Sequence, residues 1–284
     1  MTSDVADAAD LERIRAFALE LRKSIVTMLA AAGSGHSAGP LGMADFMAVL
    51  YSSVLRHDPK NPEWEDRDLF FLSHGHTAPV LYAALAESGY FPKEELLTLR
   101  AYGTRLQGHP ERHALPGIES TSGPLGSGLS QAAGYAYALK HLRPDPSRRV
   151  YVAMGDGELD EGNIWEAAMF AAGHSLGNLI GVVDRNFIQI DGSTEDVMPL
   201  GDLAEKFRAF GWTALDVDGH DIEALLGAFA FARAQADRPT VLVAHTVPGK
   251  GVSFMESDYK WHGKPPTAAE RDAALAELEL AVQR

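Results

Sequence analysis

Near the amino terminus, apolar residues recur at three- and four-residue intervals. Leu11, Ile14, Phe17, Ala18, Leu21, Ile25, Met28 and Leu29 fall on one stripe, and Gly33 supplies a stop; this is the spacing of an amphipathic α-helix. Farther along the period changes. Leu69 to Ser73, Val150 to Met154, Leu179 to Val183, Thr213 to Val217 and Thr240 to Thr246 are short apolar runs rich in β-branched and aromatic residues, which predicts buried strands. Helical segments stand between them: Gln131 to Lys140 after a glycine-rich turn, a segment joining the second and third runs, Leu203 to Phe210, and one that Asp221 can cap. A charged amphipathic helix from Ala268 to Val282 closes the pattern. Strands alternating with helices, without an internal repeat or low-complexity linker, predict an α/β fold: a single doubly wound domain over residues 1–284, its mainly parallel sheet flanked by helices.

The stretch from Val150 to Gly192 carries the chemistry. It reads as one βαβ unit whose strands end in Gly155-Asp156-Gly157-Glu158 and in Asp184-Arg185-Asn186. A right-handed crossover between parallel strands puts both polar tips at the carboxyl edge, so Asp156 and Asn186 can face one cavity. A carboxylate, an amide oxygen and a backbone carbonyl just after Asn186 form a hard-oxygen set suited to Mg²⁺ held through phosphates. Gly155 and Gly157 lack a Cβ, so their N–H groups could approach a diphosphate, and the helix that follows would favour an anion at its start. An isolated Gly-Asp-Gly is otherwise an ordinary tight turn. Asn186 at the neighbouring tip favours the site.

Composition narrows the classes. The chain has 284 residues, a net charge of -14 and no cysteine. That charge opposes broad binding to nucleic acid or anionic membrane, and the absence of cysteine removes disulfides, thiolate catalysis and Cys-based zinc sites. Asp4, Asp7 and Asp10 stand where a signal peptide needs positive charge, and no apolar run is long enough to span a bilayer, so a cytoplasmic protein is expected. Other motifs fail on context. Gly33, Gly35 and Ala38 match a dinucleotide fingerprint but follow a helix where a strand is required, and Pro248-Gly249-Lys250-Gly251 lacks the remainder of a P-loop. His74 and His76 have no third zinc ligand nearby in sequence.

Gly-Asp-Gly followed about thirty residues later by Asn is the thiamine-diphosphate and metal signature, and LDEGNIWEA, LGNLI and IQIDG closely resemble the amino-terminal domain of transketolases. The resemblance runs from Ser34 to Gly263. It implies that Asp156, Asn186 and the Ile188 carbonyl hold Mg²⁺, and that Gly155, Gly157, Glu158 and Ile190 belong to the thiamine diphosphate site. His36 lies in a loop resembling GHPGAPLG, with Ser37 and Ala38 in place of Pro-Gly, and would contact the donor sugar. His76 would reach the diphosphate. His109, in QGHPE, would hydrogen-bond the donor's terminal hydroxyl, and His262, in Trp-His-Gly, would close over diphosphate and donor. Gly123 and Leu125, in SGPLGSG, would flank the aminopyrimidine and thiazolium. Glu161 and Glu166 are five residues apart, a poor spacing for helix stabilisation; they match glutamates of a buried interface network, which would titrate as a coupled set. A solvated acidic helix face is the alternative. His74, Arg100 and Arg105 receive no role.

In transketolases a second domain carries the aminopyrimidine half of the site and grips the sugar phosphate; the sequence stops before such a domain. The resemblance therefore implies the amino-terminal subunit of a split transketolase, paired with a separate carboxyl-terminal subunit in a heterotetramer with two copies of each. It would move a two-carbon ketol unit from a ketose to an aldose. A 2-oxo-acid dehydrogenase subunit or a deoxyxylulose phosphate synthase fits the GHPE and GPLG segments less well. A split enzyme for a sulfonated or branched sugar, or a non-catalytic scaffold subunit, is also compatible.

Overall fold

A computed structural model describes residues 8–145 and 147–281; Asp4, Asp7 and Val282, used in the sequence reading, lie outside them. Among the described residues the strands are β1 (Leu69–Leu72), β2 (Val150–Gly155), β3 (Leu179–Arg185), β4 (Ile188–Gln189), β5 (Gly192–Ser193), β6 (Thr213–Asp218) and β7 (Thr240–His245). β4 and β5 form a small antiparallel pair, and the others form one sheet in the order β1-β2-β3-β7-β6 with every neighbouring pair parallel. Side chains alternate between two cores. Phe70, Leu72, Tyr151, Ala153, Ile180 and Val182 face one, with α1 (Ala8–Ala32), α3 (Ala44–Val49), α4 (Ala78–Glu87) and α9 (Ile222–Ala234) packed over them. Leu69, Phe71, Val150, Val152, Met154 and Val183 face the other, beneath α5 (Ser127–His141), α6 (Gly162–Gly173) and α8 (Leu203–Ala209). Such two-sided burial explains the continuous apolar strands. It is the doubly wound arrangement expected from the sequence.

The differences have physical causes. α3, α4 and the short α2 (Ala38–Gly42) have no counterpart in the hydrophobic period, because residues 38–50 and 77–86 are buried throughout and a helix without a solvent face has no stripe. β3 runs past Val183 because Asp184 and Arg185 still pair with Ala244 and His245 of β7: the ladder continues where the apolar run stops. At the end of α1, Gly33 adopts φ +62° and its N–H donates to Leu29 O at 3.0 Å, a left-handed helix stop. Asp221 caps α9 through Ala224 N–H at 3.0 Å.

One polar cluster positions the loop after β7. Arg22 of α1 holds Asp45 with two bonds of 3.0 and 2.6 Å. His220 lies 2.7 Å from Asp45 through Nδ1, and its Nε2 accepts the Val247 N–H at 2.8 Å. Burial raises the Asp45 pKa, but Arg22 and His220 outweigh it and hold the group at about 2. The segment leading to His262 is thereby tied to the first helix. Beyond it lie α10 (Ala268–Ala281) and, earlier, the single turn α7 (Thr194–Val197).

Candidate active site

At the carboxyl edge of β1, β2 and β3 is a cavity of about 470 Å³. The register sets Gly155 beside Asp184, and the Asp156 N–H donates to Asp184 O at 3.2 Å, so the two strand tips adjoin. The cavity is lined by His36, His76, His109 and His262, by Gly123 and Leu125, by Gly155 to Glu158, and by Asn186, Ile188 and Ile190. The structure thus brings together every residue to which the sequence assigned a catalytic, cofactor or metal role. Glu161 and Glu166 lie outside it and are exposed in the single chain.

Asp156 is 1% exposed. Its Oδ1 accepts the Gly157 N–H at 2.8 Å, and its Oδ2 accepts the Phe187 N–H at 2.7 Å and Arg185 Nη1 at 3.2 Å. Burial raises its pKa to about 6 against the pull of these donors. Asp184 is buried beside it and is pushed to about 7, first by burial. Two buried carboxyl groups at adjacent strand ends, next to an amide oxygen on Asn186, make an environment that favours a cation. Asp156, Asn186 and the Ile188 carbonyl fit Mg²⁺ by donor chemistry.

Asp184 and Arg185 were not singled out from sequence. The Asn186 Nδ2 donates to Asp184 Oδ2 at 2.7 Å and the Thr246 hydroxyl donates to Asp184 Oδ1, so Asp184 fixes which way the amide points. Arg185 bridges Asp156 to Glu195, at 2.6 Å from the latter, and lies 3.9 Å over the Phe187 ring. Both sit inside the polar tip of β3, where a buried charge is the available signal.

The Gly155 N–H donates to Glu158 Oε2 at 3.0 Å and the Gly157 N–H to Asp156 Oδ1 at 2.8 Å, so both amides have acceptors within the chain. The expected helix start after these glycines is corrected. The segment after them is a 3₁₀ turn, Gly157–Asp160, and α6 starts only at Gly162. A Cβ on Gly157 would stand 2.8 Å from Gln189 Cγ and Nε2, so a larger residue there would displace the Gln189 side chain. Glu158 also accepts the Gly126 N–H at 2.6 Å and the Ser73 hydroxyl. Its carboxylate clasps three loops, and burial raises its pKa despite those donors.

The imidazoles form a cluster. Ring centroids of His36 lie 4.8 Å from His76 and 5.5 Å from His262, and His76 lies 5.1 Å from His262. Burial, with mutual repulsion, holds His36 at about 4 and His76 well below its usual value; burial lowers His262, and burial with Arg100 lowers His109. His74, buried, also lines the cavity: Nδ1 lies 3.2 Å from Ala153 O and Nε2 3.2 Å from Met43 Sδ, and burial brings it to about 4. A neutral imidazole can both accept and donate a proton. In an NMR titration of the chain, the His36 and His74 ring protons should shift with midpoints near pH 4; midpoints near 6.5 would contradict their burial. Since these folded values lie below the unfolded one, their share of stability is complete above about pH 6.5 and declines as the pH falls toward 4.

The chain matches the transketolase, thiamine diphosphate binding domain family over residues 14–281. It is 42% identical over 261 residues to the 6-deoxy-6-sulfo-D-fructose transketolase subunit of Clostridium sp., covering 91% of this chain and 94% of the relative. It is 38% identical over 263 residues to an apulose-4-phosphate transketolase subunit of Phocaeicola vulgatus, covering 93% and 92%. The solved transketolase from Leishmania mexicana superposes with a TM-score of 0.87 at 33% identity, over 95% of this chain and 44% of that one. The chain therefore spans less than half the length of that solved transketolase but nine-tenths of the two subunits. A parallel doubly wound sheet, an Asp156 and Asn186 pair at adjoining strand tips and a match from residue 14 to 281 together show that the chain belongs to the transketolase family, as its thiamine diphosphate binding domain.

Proposed function

We propose that the chain is the thiamine-diphosphate-binding subunit of a two-chain transketolase, a cytoplasmic heterotetramer that holds two copies of this chain and two of a separate partner. Relatives of matching length whose names call them subunits support the partner. The observation that carries the catalytic reading is one cavity in which an oxygen-donor pair for Mg²⁺ faces four imidazoles held neutral. Thiamine diphosphate, when bound, would supply the nucleophilic carbon for two-carbon ketol transfer.

The chain's own residues bind and steer. Asp156, Asn186 and the Ile188 carbonyl hold the metal, with Asp184 orienting the amide. His76 reaches toward the diphosphate. His36 and His262, 5.5 Å apart by ring centroids, take and return protons at the donor's hydroxyls, and His109 fixes the ketol end. Leu125 and Ile190, exposed by 38% and 65%, are apolar flanks that shield the thiazolium once a partner covers them. Glu161 and Glu166, exposed on the single chain, would be covered across the two-fold axis. The donor is a ketose; the names of the two subunit relatives favour a sulfonated or branched sugar over a common ketose phosphate.

Native mass spectrometry of the protein purified from its source with Mg²⁺ tests the assembly. A second chain carrying thiamine diphosphate is expected, with ketol transfer from 6-deoxy-6-sulfo-D-fructose or apulose 4-phosphate exceeding that from fructose 6-phosphate. A homodimer that takes up no thiamine diphosphate would reject the reading.

A further inference from the structure

Two arginines follow the turn at Lys93–Thr98, and the structure separates them. Both residues are exposed; Arg105 is committed to Glu95, with Nε 2.7 Å from Oε1 and Nη2 2.8 Å from Oε2. Arg100 has no ion pair among the described residues. Its backbone sits at φ +61°, uncommon for a residue with a Cβ, and is held there by its N–H donating to Leu106 O at 2.9 Å.

That turn decides where the guanidinium lands. A Cβ on Gly108 would stand 3.0 Å from Arg100 Cζ and Nε, and one on Gly35 would stand 3.5 Å from Nη1. Arg100 therefore packs against both glycines, and each is the residue before a site histidine: Gly35 before His36, Gly108 before His109. The His36 ring needs such support. Its Nδ1 is buried and makes no hydrogen bond among the described residues, so packing, not a hydrogen bond from that nitrogen, sets its position.

We propose that Arg100 is a positioning residue whose exposed guanidinium, laid against the loops at Gly35 and Gly108, sets the spacing of His36 and His109 across the donor site. The assignment of a sugar to these histidines rests on the function proposed above; the contact itself does not. The charge acts in the same direction as the packing. His36 faces His76, His262, His109 and Arg100, and His109 faces Arg100. The imidazoles are neutral near pH 7, so Arg100 is the permanent charge in this set and disfavours a proton on either ring.

Two variants of the full chain separate spacing from charge. In Arg100→Leu both are lost: the NMR midpoints of His36 and His109 should rise by about half a pH unit. In the complex, kcat/KM for 6-deoxy-6-sulfo-D-fructose should fall about tenfold, since small misplacement of positioning groups is costly. Thiamine diphosphate affinity should stay within about twofold, because none of its proposed contacts is touched. Arg100→Lys keeps the charge and loses the planar guanidinium, so the midpoints should stay and the kinetic loss should remain. Unchanged midpoints and kinetics in Arg100→Leu would overturn the proposal, as would a kinetic loss matched by equal losses of cofactor affinity and melting temperature, which would mark a purely structural residue. If the wild-type complex transfers no ketol unit, the functional reading fails instead, and the titration arm still decides whether the Arg100 charge stands beside both rings.

Discussion

Asp156→Ala should abolish Mg²⁺ and thiamine diphosphate binding together, each by more than about 100-fold, and leave the sheet folded. Loss of an outer-shell partner alone costs a metal site about 10–100-fold, and Asp156 is the charged donor of the proposed set. The fold should survive at a cost of about 3–5 kcal/mol, since the Gly157 N–H, the Phe187 N–H and Arg185 each lose a buried acceptor. Burial raises the Asp156 pKa to about 6, so its ionised form is disfavoured where it stands. Arg185, its buried partner, keeps Glu195 at 2.6 Å and Thr194 at 3.1 Å. Titration calorimetry with Mg²⁺ and thiamine diphosphate, beside far-UV circular dichroism, separates the two effects. If the variant binds both ligands normally, the metal sits elsewhere. Asp156→Asn, which keeps an oxygen but no charge, should fall between.

Glu158→Ala should do the opposite: damage the fold first and the site as a consequence. The Glu158 side chain is 1% exposed and gathers the Gly126 N–H, the Gly155 N–H and the Ser73 hydroxyl. Each buried donor left without an acceptor costs about 1–3 kcal/mol, so a loss of about 3–6 kcal/mol is expected. For a chain of this size that lowers the melting temperature by about 5–10 °C. Glu158→Gln keeps one acceptor oxygen but turns an amide N–H₂ toward backbone N–H groups, and should recover less than half of the loss. Scanning calorimetry without cofactor reads both variants. A shift below about 2 °C for Glu158→Ala would mean that the clasp is replaceable.

The contrast between these two carboxylates shows what the sequence reveals. Asp156 and Asn186 were legible because strand polarity and a right-handed crossover dictate that both tips share an edge, whatever the details. The strands were legible for a similar reason: burial on both faces leaves an uninterrupted apolar run. Glu158 was read as a cofactor contact, since residue type and spacing do not say which donors a carboxylate meets. Its partners Gly126 and Ser73 lie 32 and 85 residues away in sequence. α3 and α4 went unseen because complete burial erases the helical period. Arg100 could not be told from Arg105 until the left-handed turn at Arg100 placed one guanidinium on Gly35 and Gly108 and left the other on Glu95.

The cavity draws its histidines from positions as far apart as His36 and His262, and the Ser37 hydroxyl donates to Lys264 O at 2.6 Å across 227 residues of chain. The site histidines lie in four separate segments of the chain. Ligand capture therefore reports completion of folding, and by mass action a ligand at 100 times its Kd would add about 2.7 kcal/mol to the global unfolding free energy. Amide hydrogen exchange should slow on binding well beyond the residues that touch the ligand, reaching β7 through the Thr246 hydroxyl on Asp184 and α1 through Arg22 and Asp45. The whole domain would then open as one cooperative unit in which cofactor occupancy and kinetic persistence rise together.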